Sequence, residues 1–291
     1  MHEIDAIIAA CRSVMDAGSR GALITVVRTS GSTYRRAGAR AVIAQHGVIA
    51  GAVSGGCLER DLAIRIRPWL SDFTARVVTY DAHRDDDRVF GTGLGCRGII
   101  DLLVEPFDHA HPPRLVEEFR WNGRQAVEWT TTLPNGEMLI EIIRPRSIIV
   151  FGGGNDVEPL AQLARVLGWN VDVVTSRDTV DLTNYDAAVV MTHNFERDIE
   201  IATQLNSSPL AYIGILGPKS RGDEILAAIG ASPRDARFHS PIGLDIGGET
   251  PSEIALSIIA EIQTVLELRS ARPLREINSP IHEAIDIPKC V

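Results

Sequence analysis

The chain has 291 residues, enough for two domains, with 45% apolar and 23% charged residues and a net charge of −9. That balance excludes a general basic surface for nucleic acid or an anionic membrane, and an aromatic share of 5% leaves little for base stacking. No apolar run is long enough to span a bilayer, the first residues lack the basic and apolar regions of a secretory signal, and four cysteines make no disulfide framework, so a cytoplasmic protein is expected.

Over residues 3–17, Ile4, Ile7, Ile8, Cys11 and Val14 fall on one helical face, and Gly18 supplies the stop. The β-branched stretch 21–29 predicts a strand, followed by a polar loop over 31–36 and a second strand at Arg40–Ala44. A short strand over 48–53 runs into the elbow Ser54-Gly55-Gly56-Cys57, and helical spacing covers 57–70. Residues 76–80 read as a strand. An aspartate-rich loop and a second elbow, Gly93-Leu94-Gly95-Cys96, then lead to a strand over 99–104 closed by Glu105-Pro106. The histidines and prolines of 109–113 mark a hinge, before a short helix over 114–121 and a hairpin that pairs 125–132 with Met138–Ile143 around Pro134-Asn135-Gly136.

From Ser147 the pattern changes. Strands over 148–151, 170–175, 187–191 and 211–215 alternate with helices over 157–167, 196–204 and 220–229, and a long helix over 251–268 closes the series. Such alternation predicts parallel βαβ units with helices on both faces. The fold class expected is α/β: a mixed α/β N-terminal domain over 1–108, a linker with helix and hairpin over 109–145, and a Rossmann-like C-terminal domain with a parallel sheet over 146–291.

The two elbows are the first candidates for chemistry. Glycine lets the backbone turn sharply and approach a ligand, and a thiol beside the positive end of a helix has its thiolate favoured. Cys57 and Cys96, framed by Gly55, Gly56, Gly93 and Gly95, therefore suit a soft, sulfur-bearing or electrophilic ligand. The alternative is packing, since cysteine is often buried as a small hydrophobe. The second candidate is the turn after residues 148–151, where Gly152 and Gly154 open a helix as in a dinucleotide fingerprint, with Val157 at the third glycine position. After the next strand stand Thr175, Ser176 and Arg177 in place of the acidic residue that takes ribose hydroxyls, a set better suited to a 2′-phosphate, so any dinucleotide bound there is expected to be NADP. Thr192 and His193 follow a strand at the edge of the sheet where ligands sit, as a polar contact or acid/base pair, or as structural residues. Asp85, Asp86 and Asp87 offer carboxylates to Mg²⁺, but three in a row beside Arg84 and Arg88 more often face water or pair, and no metal site is assigned.

Several longer stretches carry a resemblance. Thr29-Ser30-Gly31-Ser32-Thr33-Tyr34-Arg35-Arg36-Ala37-Gly38-Ala39-Arg40, Ser54-Gly55-Gly56-Cys57-Leu58-Glu59, Phe90-Gly91-Thr92-Gly93-Leu94-Gly95-Cys96-Arg97-Gly98 and Met191-Thr192-His193-Asn194 stand in that order. They are followed by Tyr212-Ile213-Gly214-Ile215-Leu216-Gly217-Pro218-Lys219 and by the run from Pro241 to Pro251. Over nearly its whole length the chain resembles the XdhC/CoxI family, accessory proteins of molybdenum hydroxylases such as xanthine dehydrogenase. At the glycine turn it carries Asn155-Asp156 where that family commonly has histidine.

The resemblance implies binding of the molybdenum cofactor (molybdopterin), its sulfuration, and its delivery to a molybdenum hydroxylase subunit, with a cysteine desulfurase as sulfur donor. It makes Cys57 and Cys96 the leading residues for contact with the metal or relay of sulfur. Arg28, Arg35, Arg36 and Arg40, with Ser32, Thr33 and Tyr34, then suit the cofactor's phosphate, or else form a solvated charged loop. The competing reading is an NADP-dependent oxidoreductase of a small substrate. The long C-terminal helix could pack on its own domain or exchange with a second copy, and a homodimer is favoured.

Overall fold

The computed structural model describes residues 2–45, 47–81, 98–176, 179–232 and 234–278. They cluster into two compact units. The first holds His2–Trp121 and Val127–Ile143, with the described residues from Leu274; the second holds Asn122–Ala126 and Arg144–Pro273. The segment 109–145 is thus shared: its helix and hairpin cluster with the first unit, and residues 122–126 with the second.

The first unit is built on an antiparallel sheet of β1 (Gly21–Gly31), β2 (Arg40–Ala44), β3 (Gly47–Gly51), β4 (Arg76–Asp81) and β5 (Gly98–Phe107), in the order β3-β2-β1-β5-β4. The start of β1 is buried without alternation because both sheet faces are covered. On one face α1 (Glu3–Asp16) lays Ile4, Ile7, Cys11 and Val14 against Leu23, Val42 and Phe107, joined by Trp129 and Ile143 of the hairpin β6 (Val127–Thr132) and β7 (Met138–Ile143). On the other face α2 (Cys57–Arg65) and the 3₁₀ turn Arg67–Ser71 bring Leu58, Leu62, Ile66 and Leu70 onto Ala22, Ile24 and Val26. Each such fully buried aliphatic side chain contributes roughly 1.5–3 kcal/mol. Strand β5 runs on through Pro106, past the expected stop. The paired part of β4 ends opposite Val104, so beyond it β5 has an open edge, where a missing N–H is tolerated.

Between β5 and the hairpin lies α3 (Arg114–Glu118), shorter than the helix expected there. The hairpin turn is set by Gly136, in the left-handed region at φ +86°, whose N–H donates to the Leu133 carbonyl at 2.9 Å.

The second unit is a parallel sheet of β8 (Ser147–Phe151), β9 (Asn170–Val174), β10 (Ala187–Val190), β11 (Tyr212–Ile215) and β12 (Phe238–His239), ordered β12-β11-β10-β8-β9. Helices α4 (Val157–Val166) and α7 (Pro251–Leu266) pack on one face through Leu160, Ala164, Ile258 and Ile262. Helices α5 (Phe195–Asn206) and α6 (Lys219–Ala228) cover the other through Ile201, Leu205 and Ile225. This is the Rossmann-like α/β arrangement expected from the alternation. Strand β12, with two residues, is too short to leave a signal in sequence. Helix α7 starts on a capping box: Thr250 accepts from the Glu253 N–H while Glu253 accepts from the Thr250 N–H. The strand order reverses between β8 and β10, which places a crevice at their carboxyl ends.

Candidate functional site

In the first unit, the chain leaving β3 turns through Ala52–Gly56 and enters α2 at Cys57. Gly56 holds φ +106°, a conformation that L side chains rarely adopt, so glycine is required by backbone geometry. The elbow is locked by a buried pair. The Ser54 hydroxyl oxygen accepts from the N–H groups of Gly56 (3.0 Å) and Leu58 (3.2 Å), and the hydroxyl donates to Glu59. The other Glu59 oxygen accepts from the Val53 and Ser54 N–H groups at 2.8 and 2.7 Å. Burial alone would push Glu59 up, but the Ser54 hydroxyl and these N–H groups together hold it below its usual value. Glu59 is therefore the latch of the turn, a stronger role than complementing a helix dipole.

The latch sets Cys57 half-buried at the first position of α2, with the Arg60 guanidinium 3.9 Å from its Sγ. At the elbow opens a cavity of about 440 Å³, walled by Tyr34 and Arg35 from the loop after β1, Val48 and Gly51 of β3, Gly55 and Gly56 of the elbow, and Arg60; Cys57 follows the wall residue Gly56 and does not itself line it. Its size lies in the range of small-molecule sites. Arg35 is also held by Glu3, at 2.6 and 2.7 Å.

The arginine cluster expected from sequence does not form as one group. Of its members, Arg35 reaches this cavity together with Tyr34. Arg28 pairs with Glu137 at 2.6 Å and Asp101 at 3.5 Å, and Ser32 is exposed outside the cavity wall. Arg40 is 5% exposed, donates to the Gly38 carbonyl at 2.8 Å and pairs with Glu141 of β7. It faces a separate chamber of about 60 Å³, enclosed with Thr25, Glu105, Arg114 and Trp129. At ~30 Å³ per water, that chamber has room for about two. Burial lifts Glu105 to about 7, against the pull of Arg40 and Arg114. Cys96, Gly93 and Gly95 of the second elbow, Arg177, and Asp85, Asp86 and Asp87 lie outside the described residues. Among the described residues, no group of three or more His, Cys, Asp or Glu side chains is placed to hold a metal ion, and no helix is long and apolar enough to cross a membrane.

In the second unit, the glycine turn after β8 and the end of β10 meet at the crevice. A Cβ on Gly152 would stand 2.5 Å from the Met191 carbonyl, so glycine is what lets the two strand ends pass. A Cβ on Gly153 would stand 3.2 Å from the Thr175 methyl, which places Thr175 against the turn. His193 adopts φ +58°, uncommon for a residue with a side chain. Its Nε2 lies 2.8 Å from Asp156 Oδ2, and its ring is largely exposed. Thr192 plays a different part. Its hydroxyl donates at 2.5 Å to the buried carboxylate of Asp198, which also accepts from Arg221 at 2.7 Å, fixing the start of α5. Asp156, Asp198 and Arg221 carry no motif of their own. The signal within reach was Asp156, an acidic residue inside the glycine turn.

Two family models match the chain: that of the XdhC and CoxI family over residues 14–81, and that of the XdhC Rossmann domain over residues 148–262. The chain is 31% identical to a Bacillus subtilis protein named as a probable subunit of xanthine dehydrogenase, across 82% of this chain and 91% of that protein. It is 22% identical to the molybdenum cofactor insertion chaperone PaoD of Escherichia coli, across 85% of this chain and 84% of that one. A crystal structure from Bacillus halodurans, described as a xanthine dehydrogenase, is similar with a TM-score of 0.74 at 26% identity, covering 93% of this chain and 99% of that chain.

Proposed function

The chain belongs to the XdhC and CoxI family, and on that premise we propose that it binds the molybdenum cofactor at the Cys57 elbow, assists its sulfuration and hands it to a xanthine dehydrogenase-type hydroxylase. One observation carries this reading: a latched, half-buried cysteine stands at a helix start beside a cavity of about 440 Å³ that two arginines enter. The donor set suits the ligand's chemistry. Arg35 and Arg60 of the cavity wall match phosphate oxygens and the exposed ring of Tyr34 offers a face to a flat heterocycle; Cys57, next in sequence to the wall residue Gly56, adds a soft sulfur donor at the edge of the site. When bound, the cofactor supplies a molybdenum held by a dithiolene. Cys57 stands at a helix start with the Arg60 guanidinium 3.9 Å from its Sγ, a position from which its sulfur can meet that metal or carry a sulfur atom. The names of the relatives in Bacillus subtilis and Escherichia coli support the same direction. In this reading the partners are a cysteine desulfurase and the receiving hydroxylase subunit, the compartment is the cytoplasm, and a homodimer is the working assembly.

The competing reading, an NADP-dependent oxidoreductase, draws on the glycine turn of the second unit, where the chain passes from β8 through Gly152 and Gly154 into α4.

The test is purification from a molybdate-supplied host, followed by metal analysis and pterin fluorescence. The wild type is expected to retain the cofactor, and Cys57→Ala and Arg35→Ala to retain several-fold less. A wild type free of molybdenum and pterin, or two variants that retain as much as the wild type, defeats the proposal.

A further inference from the structure

A Rossmann-type sheet implies a dinucleotide whose pyrophosphate rests on the N–H groups that open the first helix. The residues at that position do not fit one. Asp156 is the residue immediately before α4, and its carboxylate folds back over the glycine turn. A Cβ on Gly154 would stand 2.7 Å from Asp156 Oδ1 and 3.5 Å from His193 Nε2, so these two groups occupy the space that glycine leaves open. The Asp156 side chain is 17% exposed, with Oδ2 held by His193 and Oδ1 buried without a hydrogen-bond partner. His193 is bent into the left-handed region where it makes this bond, so the pair is built into the strand end. A pyrophosphate brought to the same helix would set its oxygens against a carboxylate in a poorly solvated corner, where like charges repel strongly.

We propose that Asp156 is a specificity-determining residue that closes this phosphate seat. The chain's own carboxylate stands over the helix start without capping it, and the crevice selects against NAD(P) and other pyrophosphate ligands. What His193 can still meet from its exposed side is a ligand that is uncharged or cationic at that point. This assignment goes beyond the cofactor reading of the first unit and stands or falls independently of it.

Calorimetric titration of the full chain with NADP⁺, NADPH, NAD⁺ and inorganic pyrophosphate tests it. For the wild type every Kd is expected to be weaker than about 1 mM. Asp156→Asn keeps the shape and removes the charge, and should bind NADP⁺ or pyrophosphate at least tenfold more tightly. Asp156→Ser, smaller and uncharged, serves as a second variant, with thermal melting to confirm that each folds. A micromolar Kd in the wild type overturns the proposal. So does a wild type that binds weakly while the folded variants bind no better.

Discussion

Glu105 makes the stability of the first unit depend on pH in a direction opposite to most carboxylates. It lies on β5 opposite Leu23, facing the small chamber with Arg40 and Arg114, and burial raises it from 4.5 to about 7. Between those values the native chain holds a proton there that the unfolded chain has lost, so stability falls as pH rises through the window and levels off above it. At about 1.4 kcal/mol per pH unit the loss is about 3 kcal/mol. Replacing Glu105 with Gln keeps the shape of the protonated form and removes the titration. Urea unfolding at a series of pH values, followed by tryptophan fluorescence, reads the effect, because Trp69, Trp121 and Trp129 all belong to this unit. The difference between wild type and Glu105→Gln should shift by about 3 kcal/mol against the wild type between about pH 4.5 and 7.5. A difference that stays constant within ~0.5 kcal/mol across that range would show that the chamber leaves Glu105 an ordinary carboxyl and refute the reasoning.

Five substitutions test other parts of the structure. Arg40→Ala leaves the half-buried Glu141 without its cation and should cost about 3 kcal/mol in denaturant unfolding, whereas Arg35→Ala, from a more exposed pair, should cost under ~1 kcal/mol. Glu59→Gln loses part of the latch on the elbow and should destabilise by about 1–3 kcal/mol, with faster alkylation of Cys57 followed by mass spectrometry. Gly56→Ala places a side chain at φ +106° and should lower stability by about 1–2 kcal/mol. Asp198→Ala removes the acceptor shared by Thr192 and Arg221, and a loss of about 3 kcal/mol in the second unit's transition is expected; no loss would mean that α5 is held by packing alone.

What could be read ahead of the structure follows from how local each signal is. The face of α1 and the alternation from Ser147 onward depend on spacing within one element, and both appear as expected. The elbow at Cys57 is legible because Gly56 supplies the positive φ that this turn requires. The arginine loop was not resolved in the same way. Arg35 and Arg40 are five positions apart in one polar segment, and what separates them is Glu141, a residue of β7 a hundred positions later. Thr192 and His193 are adjacent, yet one turns inward to Asp198 and the other outward to Asp156. Pro106 reads as a stop until the neighbouring strand is known to end first. Partners distant in sequence decide such roles, and a single chain carries no local trace of them.

The sealed thiol of Cys11 has a practical consequence. It lies on the buried face of α1 with no exposure, and burial lifts it to about 12, with the charge of Glu105 adding to the effect. Reagents that attack thiolates can reach it only when α1 lifts from the sheet. Its rate of modification is therefore a native clock for that opening, with no dye or engineered label required, and it can be timed against the far more accessible Cys57 in the same tube.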